Sequence, residues 1–219
     1  MEVAAFVEHL TYGEAVWLLP VVYAVHFLEE HPRFPLWATD ALRTPYTTKK
    51  FLVENAVLWS MVLAWVLLNA YSPGQAGTIL TLSAAFGFLT NVVFHAAYTL
   101  RTGVYSPGTV TACLFFAPTS IHLYYLAVRE GRLTVTTAVS SAVIGLATLP
   151  IVVAVVHGII DGRIPPRWVI LAALPPVLLQ LASALLGRAT VMNVMVYAGP
   201  LVLLPLVLKS ASWLKGWRR

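Results

Sequence analysis

The chain is built from long apolar runs separated by short polar breaks. Seven runs stand out, covering about residues 14–30, 51–71, 76–100, 107–128, 133–160, 165–187 and 189–208. Each approaches the roughly 20 apolar residues that a helix needs to cross a bilayer. The breaks carry residues that stop helices: Ser72-Pro73-Gly74, Arg101-Thr102-Gly103 and Arg129-Glu130-Gly131-Arg132. Pro20 predicts a kink in the first run, because its ring removes a backbone hydrogen bond. Pro107 suits the first turn of the fourth. Between runs one and two lies a loop of about twenty residues. It is rich in proline and basic, with Arg33, Arg43, Lys49 and Lys50. Residues 2–10 predict a short amphipathic turn on the membrane surface.

Composition sharpens this to a class. Of 219 residues, 59% are hydrophobic and 11% charged, against roughly 25% charged in soluble domains. The expectation is an all-α, multi-pass protein of the cell membrane. Residues 1–130 would form a four-span domain, and residues 131–219 three further spans and a basic tail. The net charge of +5 does not indicate nucleic acid, since no basic run is long enough to follow a phosphate backbone. Its distribution reports orientation instead. With the N-terminus outside, the inner segments hold eleven Lys and Arg residues and the outer ones only Arg129, Arg132 and Arg188. That positive-inside bias predicts N-terminus out and C-terminus cytoplasmic. The start of the chain has Glu2 and Glu8 but no basic residue, unlike a cleaved signal peptide. The single cysteine, Cys113, excludes an internal disulfide.

The first run ends on His26-Phe27-Leu28-Glu29-Glu30. At about 100° per residue, Glu29 falls about 60° to one side of His26 and Glu30 about 40° to the other. All three share one arc of a helix, where two carboxylates are costly unless something neutralises them. The predicted topology brings other polar residues to the same level. Glu54 and Asn55 open the second span, and Asn91 and His95 lie one turn apart near the end of the third. Tyr105 precedes the fourth, while His157 and Asp161 close the fifth. His122 should lie roughly 22 Å away, near the outer leaflet. Imidazoles and carboxylates gathered from several spans suit a divalent metal, zinc first, with iron or manganese as alternatives. The spacing His-x-x-Glu-Glu is not the His-Glu-x-x-His of zinc proteases.

Asn91-Val92-Val93-Phe94-His95, followed by Arg101-Thr102-Gly103-Val104-Tyr105-Ser106-Pro107-Gly108, completes a pattern. With His26-Phe27-Leu28-Glu29-Glu30 it resembles the HXXEE family of bacterial and archaeal membrane proteins. The resemblance covers about residues 15–130 and supports the choice of site without naming a substrate, the family being of unknown function. It adds nothing to His157 and Asp161.

Each candidate has a plainer reading. His26, Glu29 and Glu30 can end a helix at the interface, pairing with Arg33, Lys49 or Lys50. Asn91 and His95 can make interhelical hydrogen bonds worth about 0.6–2 kcal/mol. Glu54 and Asn55 are about 100° apart, so one of the two is expected to face inward, and Glu54 can pair with Lys50. Asp161 can form a surface ion pair, and Tyr105 can anchor the interface. The sharper reading makes His26, Glu29, Glu30 and His95 metal ligands, with Glu29, Glu30, Asn91 and Tyr105 in catalytic roles. It gives a metal-dependent hydrolase acting on a membrane lipid, isoprenoid or other lipophilic small molecule at the cytoplasmic leaflet. A proton or cation transporter and a non-catalytic membrane partner are the alternatives.

Overall fold

The structure is a computed structural model that describes residues 9–31, 33–43 and 45–165. Every regular element among them is helical. In chain order these are α1 (Tyr12–Ala15), α2 (Leu18–Glu30), α3 (Phe34–Leu42), α4 (Thr48–Tyr71), α5 (Gln75–Thr102), α6 (Thr109–Arg129) and α7 (Val135–Ile160). Four of them, α4 to α7, are long and apolar enough to cross a membrane. The expected sixth and seventh spans lie outside the described residues. Contacts divide the chain into two compact units, residues 1–149 and 150–219.

The first apolar run is interrupted where Pro20 predicts. It forms a four-residue turn, a break at Val16-Trp17, and the 13-residue α2. Pro20 has no N–H for the Val16 carbonyl and its ring crowds that turn, and the Leu19 N–H takes the carbonyl instead. Thr11 caps α1 through a reciprocal capping box with Glu14. The loop between the first two runs is more ordered than its prolines imply. Pro35 lies in the first turn of α3, a nine-residue helix that presents Phe34 and Trp37 inward.

α5 is the central helix, packed against both α4 and α6. Small residues permit the close approach. A Cβ on Gly77 would lie 2.8 Å from the Asn69 Cα, which brings α4 and α5 nearly backbone to backbone. α6 carries a π-helical turn at Ala112–Phe116. Pro118 explains it: the residue has no N–H for an α-helical bond, and its ring crowds the preceding turn. The wider turn changes which side chains share a face. Five residues span about 140° beyond a full turn in an α-helix, but close to one turn when bonds run from i to i+5. Thr111 and Phe116 thus come to one face, and both are buried.

At the far end of the bundle, Glu130 Oε1 accepts a 2.6 Å hydrogen bond from the Tyr12 backbone N–H. Its Oε2 accepts one from Arg132 Nε at 2.8 Å. Desolvation pushes the Glu130 carboxyl up, but these donors outweigh it and hold the group below its ordinary value. A carboxyl depressed on folding stabilises above its unfolded pKa, about 4.3, and loses that stabilisation as pH falls through the folded value. Acidification should therefore loosen the hold of Glu130 on the α1 segment. Amide exchange at Tyr12 should accelerate below about pH 4, and Glu130→Gln should accelerate it already at neutral pH.

Candidate metal centre

The C-terminal end of α2, the N-terminal end of α4, the C-terminal part of α5 and the N-terminus of α6 lie at one end of the bundle. His26 and Glu30 are one turn apart on α2, and both face the interior. From α5, His95 joins them. His26 Nε2 and His95 Nε2 each lie 3.4 Å from the same oxygen, Glu30 Oε1. The three ligand atoms fall within 4.8 Å of one another. The side chains are sealed, with exposures of 2% for His26, 5% for Glu30 and 0% for His95. Neither Nε2 has a hydrogen-bond partner.

That arrangement fits a cation. A tetrahedral site with bonds of 2.0–2.1 Å separates its ligand atoms by roughly 3.3–3.4 Å, which is the spacing seen from Glu30 to both imidazoles. Two histidines and one carboxylate, with remaining positions open, suit catalytic zinc or non-haem iron.

The surroundings hold the ligands in place. His26 Nδ1 lies 2.9 Å from Thr111 Oγ1, and His95 Nδ1 lies 2.8 Å from Ser106 Oγ. The ring of Phe116 packs 4.4 Å from that of His26 and stacks on Phe88 at 3.9 Å. Phe34 and Trp37 of α3 cover His95, with centroids 6.2 and 6.3 Å away. Gly108, at φ +100°, brings its backbone against the cluster. A Cβ there would lie 2.7 Å from His26 Cε1, 3.0 Å from His95 Cε1 and 3.1 Å from Glu30 Cγ.

Glu29 does something else. It faces the start of α6 and accepts from the Thr111 N–H at 2.7 Å and the Thr111 hydroxyl at 2.5 Å. The Gly108 and Val110 N–H groups donate to its other oxygen at 3.2 and 3.3 Å. The Tyr105 hydroxyl also donates there. Anions are favoured at helix N-termini, where amides lack intrahelical partners. Glu29 is an anchor for α6, not a member of the three-ligand set. Tyr105, exposed and outside the helices, has its phenol pushed up to about 12 by desolvation and by the Glu29 carboxylate.

The remaining candidates are not among the three ligands. Both Glu54 and Asn55 are buried, although a single inward-facing residue was expected. They serve two different neighbours: Tyr46 OH donates to Glu54 at 2.5 Å, and Tyr23 OH to Asn55 at 2.9 Å. Burial, with Glu54 adding to it, raises the Tyr46 phenol far above its ordinary value. Asn91 is half-buried, and its Oδ1 has no hydrogen-bond partner. His157 and Asp161 belong to the second unit, where Asp161 pairs with Arg163. His31 stacks on Phe27 and Phe51. Sequence reasoning missed Thr111, Ser106 and the wall formed by Gly108.

These features define a helical protein with membrane-length helices and a buried His/Glu cluster able to hold a metal ion. Residues 17–123 match the family described as "Protein of unknown function with HXXEE motif". This segment, just under half of the chain, contains all three ligands and is what the chain shares with the HXXEE family. No curated protein and no solved structure matches the chain.

Proposed function

We propose that the protein is a metal-dependent membrane enzyme, a hydrolase in the first instance, acting on a lipid or isoprenoid at the cytoplasmic leaflet. The observation that carries this reading is the convergence of two unpartnered Nε2 atoms on one carboxylate oxygen in a sealed site. Three lone-pair atoms brought together away from water repel one another, so the arrangement calls for positive charge. Zinc is the first choice, and iron with the same ligands would support oxidation instead. When bound, the cation supplies Lewis-acid chemistry, polarising a substrate oxygen and bringing the pKa of water toward ~7. His26, His95 and Glu30 hold it. Phe116, Phe34 and Trp37 exclude water and strengthen every charge interaction inside.

A cavity of about 350 Å³ between α2 and α4 supports a lipophilic substrate. Tyr23, Phe27, Leu52 and Trp59 line it, and Leu52 and Trp59 are also exposed on the surface that a bilayer would cover. The ligand-bearing end also carries Arg33, Arg43, Lys49, Lys50 and Arg101, against Arg129 and Arg132 at the other. This favours the cytoplasmic leaflet for the site, within a seven-span chain whose N-terminus is outside.

Metal analysis of the purified protein tests the reading. About one divalent ion per chain is expected, lost in both His26→Ala and His95→Ala. Hydrolysis of a long-chain fluorogenic ester in micelles should stop on chelation and in Glu30→Gln. Full metal retention in both histidine variants would refute the site.

A further inference from the structure

We infer that Thr111, itself held by Glu29, is a positioning residue that fixes His26 as its Nδ1–H tautomer and so leaves the Nε2 lone pair free for a cation. The inference rests on the metal reading for its purpose, but its geometry stands alone. Proton accounting around one hydroxyl leads to it. A threonine hydroxyl has one proton to give and lone pairs to receive. Thr111 Oγ1 lies 2.5 Å from Glu29 Oε2, and a carboxylate offers only acceptors. The hydroxyl proton therefore goes to Glu29.

The contact between Thr111 Oγ1 and His26 Nδ1, 2.9 Å long, must then be donated by the ring. With its proton on Nδ1, neutral His26 carries a bare lone pair on Nε2, aimed at Glu30 Oε1 from 3.4 Å. Metal-binding histidines are oriented in the same manner, by a partner on the nitrogen away from the metal. The Ala112–Phe116 π-helical turn contributes as well, since Phe116 packs on the face of the same ring whose edge Thr111 holds. The two imidazoles are thus not equivalent. Ser106 Oγ stands 2.8 Å from His95 Nδ1, and among the described residues no carboxylate takes up its proton. That hydroxyl can donate or accept, so only His26 is preset.

The test uses the full chain in nanodiscs, with ¹⁵N-labelled histidine and metal stripped by chelator. The His26 signals are assigned from the spectrum of His26→Gln. Wild type should show a protonated Nδ1 and an unprotonated Nε2 at His26. Thr111→Val, nearly isosteric and still donating its backbone N–H to Glu29, should lose this preference. Its Zn²⁺ affinity, measured by chelator competition, should fall about 10–100-fold. Thr111→Ser should restore both. An Nε2–H form of His26 in wild type would overturn the inference, as would an unchanged tautomer and affinity in Thr111→Val. If wild type shows the Nδ1–H form but takes up no metal, the tautomer assignment stands and the metal reading falls.

Discussion

Gly108→Ala should empty the metal centre while leaving the helices formed. The new methyl would be placed 2.7 Å from His26 Cε1 and 3.0 Å from His95 Cε1, well inside the roughly 3.5–4.0 Å at which carbon atoms attract. The rings have little room to turn, because Thr111 and Ser106 hold Nδ1, the atom next to each crowded Cε1, and Phe116 packs against His26. The remaining relief is a displacement of the imidazoles or of Glu30, whose Cγ would stand 3.1 Å from the methyl, and either breaks the 3.4 Å spacing on which coordination depends. Part of the effect would be backbone strain, as φ is +100° and a side chain there costs about 1–3 kcal/mol. Gly103→Ala separates the two contributions. Gly103 also has positive φ, +67°, but a Cβ there would meet nothing within 4 Å. Metal content by mass spectrometry should fall below about a tenth of wild type in Gly108→Ala, and stay stoichiometric in Gly103→Ala. An equal loss in both would reduce Gly108 to a backbone requirement.

Much of this centre is legible in the sequence, and what is not has identifiable causes. His26 and His95 could be assigned because uncharged runs leave few groups able to bind a cation, and the loops fix their level in the bundle. The choice between Glu29 and Glu30 could not be made that way. Helical geometry sets the two carboxylates on opposite sides of His26, about 60° and 40° away, and nothing local says which side faces α5. The start of α6 decides it, by presenting three amides and two hydroxyls to Glu29. Thr111 and Ser106 were invisible for a different reason. Threonine in a helix commonly bonds to its own backbone, Ser106 lies between helices, and the turn of both toward the imidazoles depends on tertiary packing. The Tyr105-Ser106-Pro107-Gly108 segment did carry a signal, through its part in the resemblance to the HXXEE family. The membrane-like composition likewise made the bundle readable, and Pro20 the interruption of the first run, whereas the α3 helix depended on packing that periodicity does not report.

The two adjacent glutamates should therefore fail in opposite ways. Glu29→Ala strands the Thr111 N–H, at about 1–3 kcal/mol for an unsatisfied buried group, while the hydroxyl keeps the Gly108 carbonyl and His26 within reach. It also removes the negative charge at the N-terminus of α6, worth about 0.3–1 kcal/mol. A loss of about 1–4 kcal/mol is expected, read as a lower unfolding midpoint in detergent, yet at saturating Zn²⁺ the variant should still bind one ion. Glu30→Gln should do the reverse. It keeps the shape but removes the one anionic ligand, so affinity should fall by more than the ~100-fold that indirect effects reach. Stripped of metal, however, this variant should be no less stable than stripped wild type. Burying a carboxylate costs several kcal/mol, and without a cation two neutral imidazoles offset only part of that. Added Zn²⁺ should thus raise the midpoint of wild type and of Glu29→Ala, but not that of Glu30→Gln. Were Glu29→Ala the variant that lost zinc and Glu30→Gln the one that kept it, the roles of the two carboxylates would be exchanged. The sealed cluster would then be a polar junction between α2 and α5, with the cation bound at the exposed face beside Tyr105.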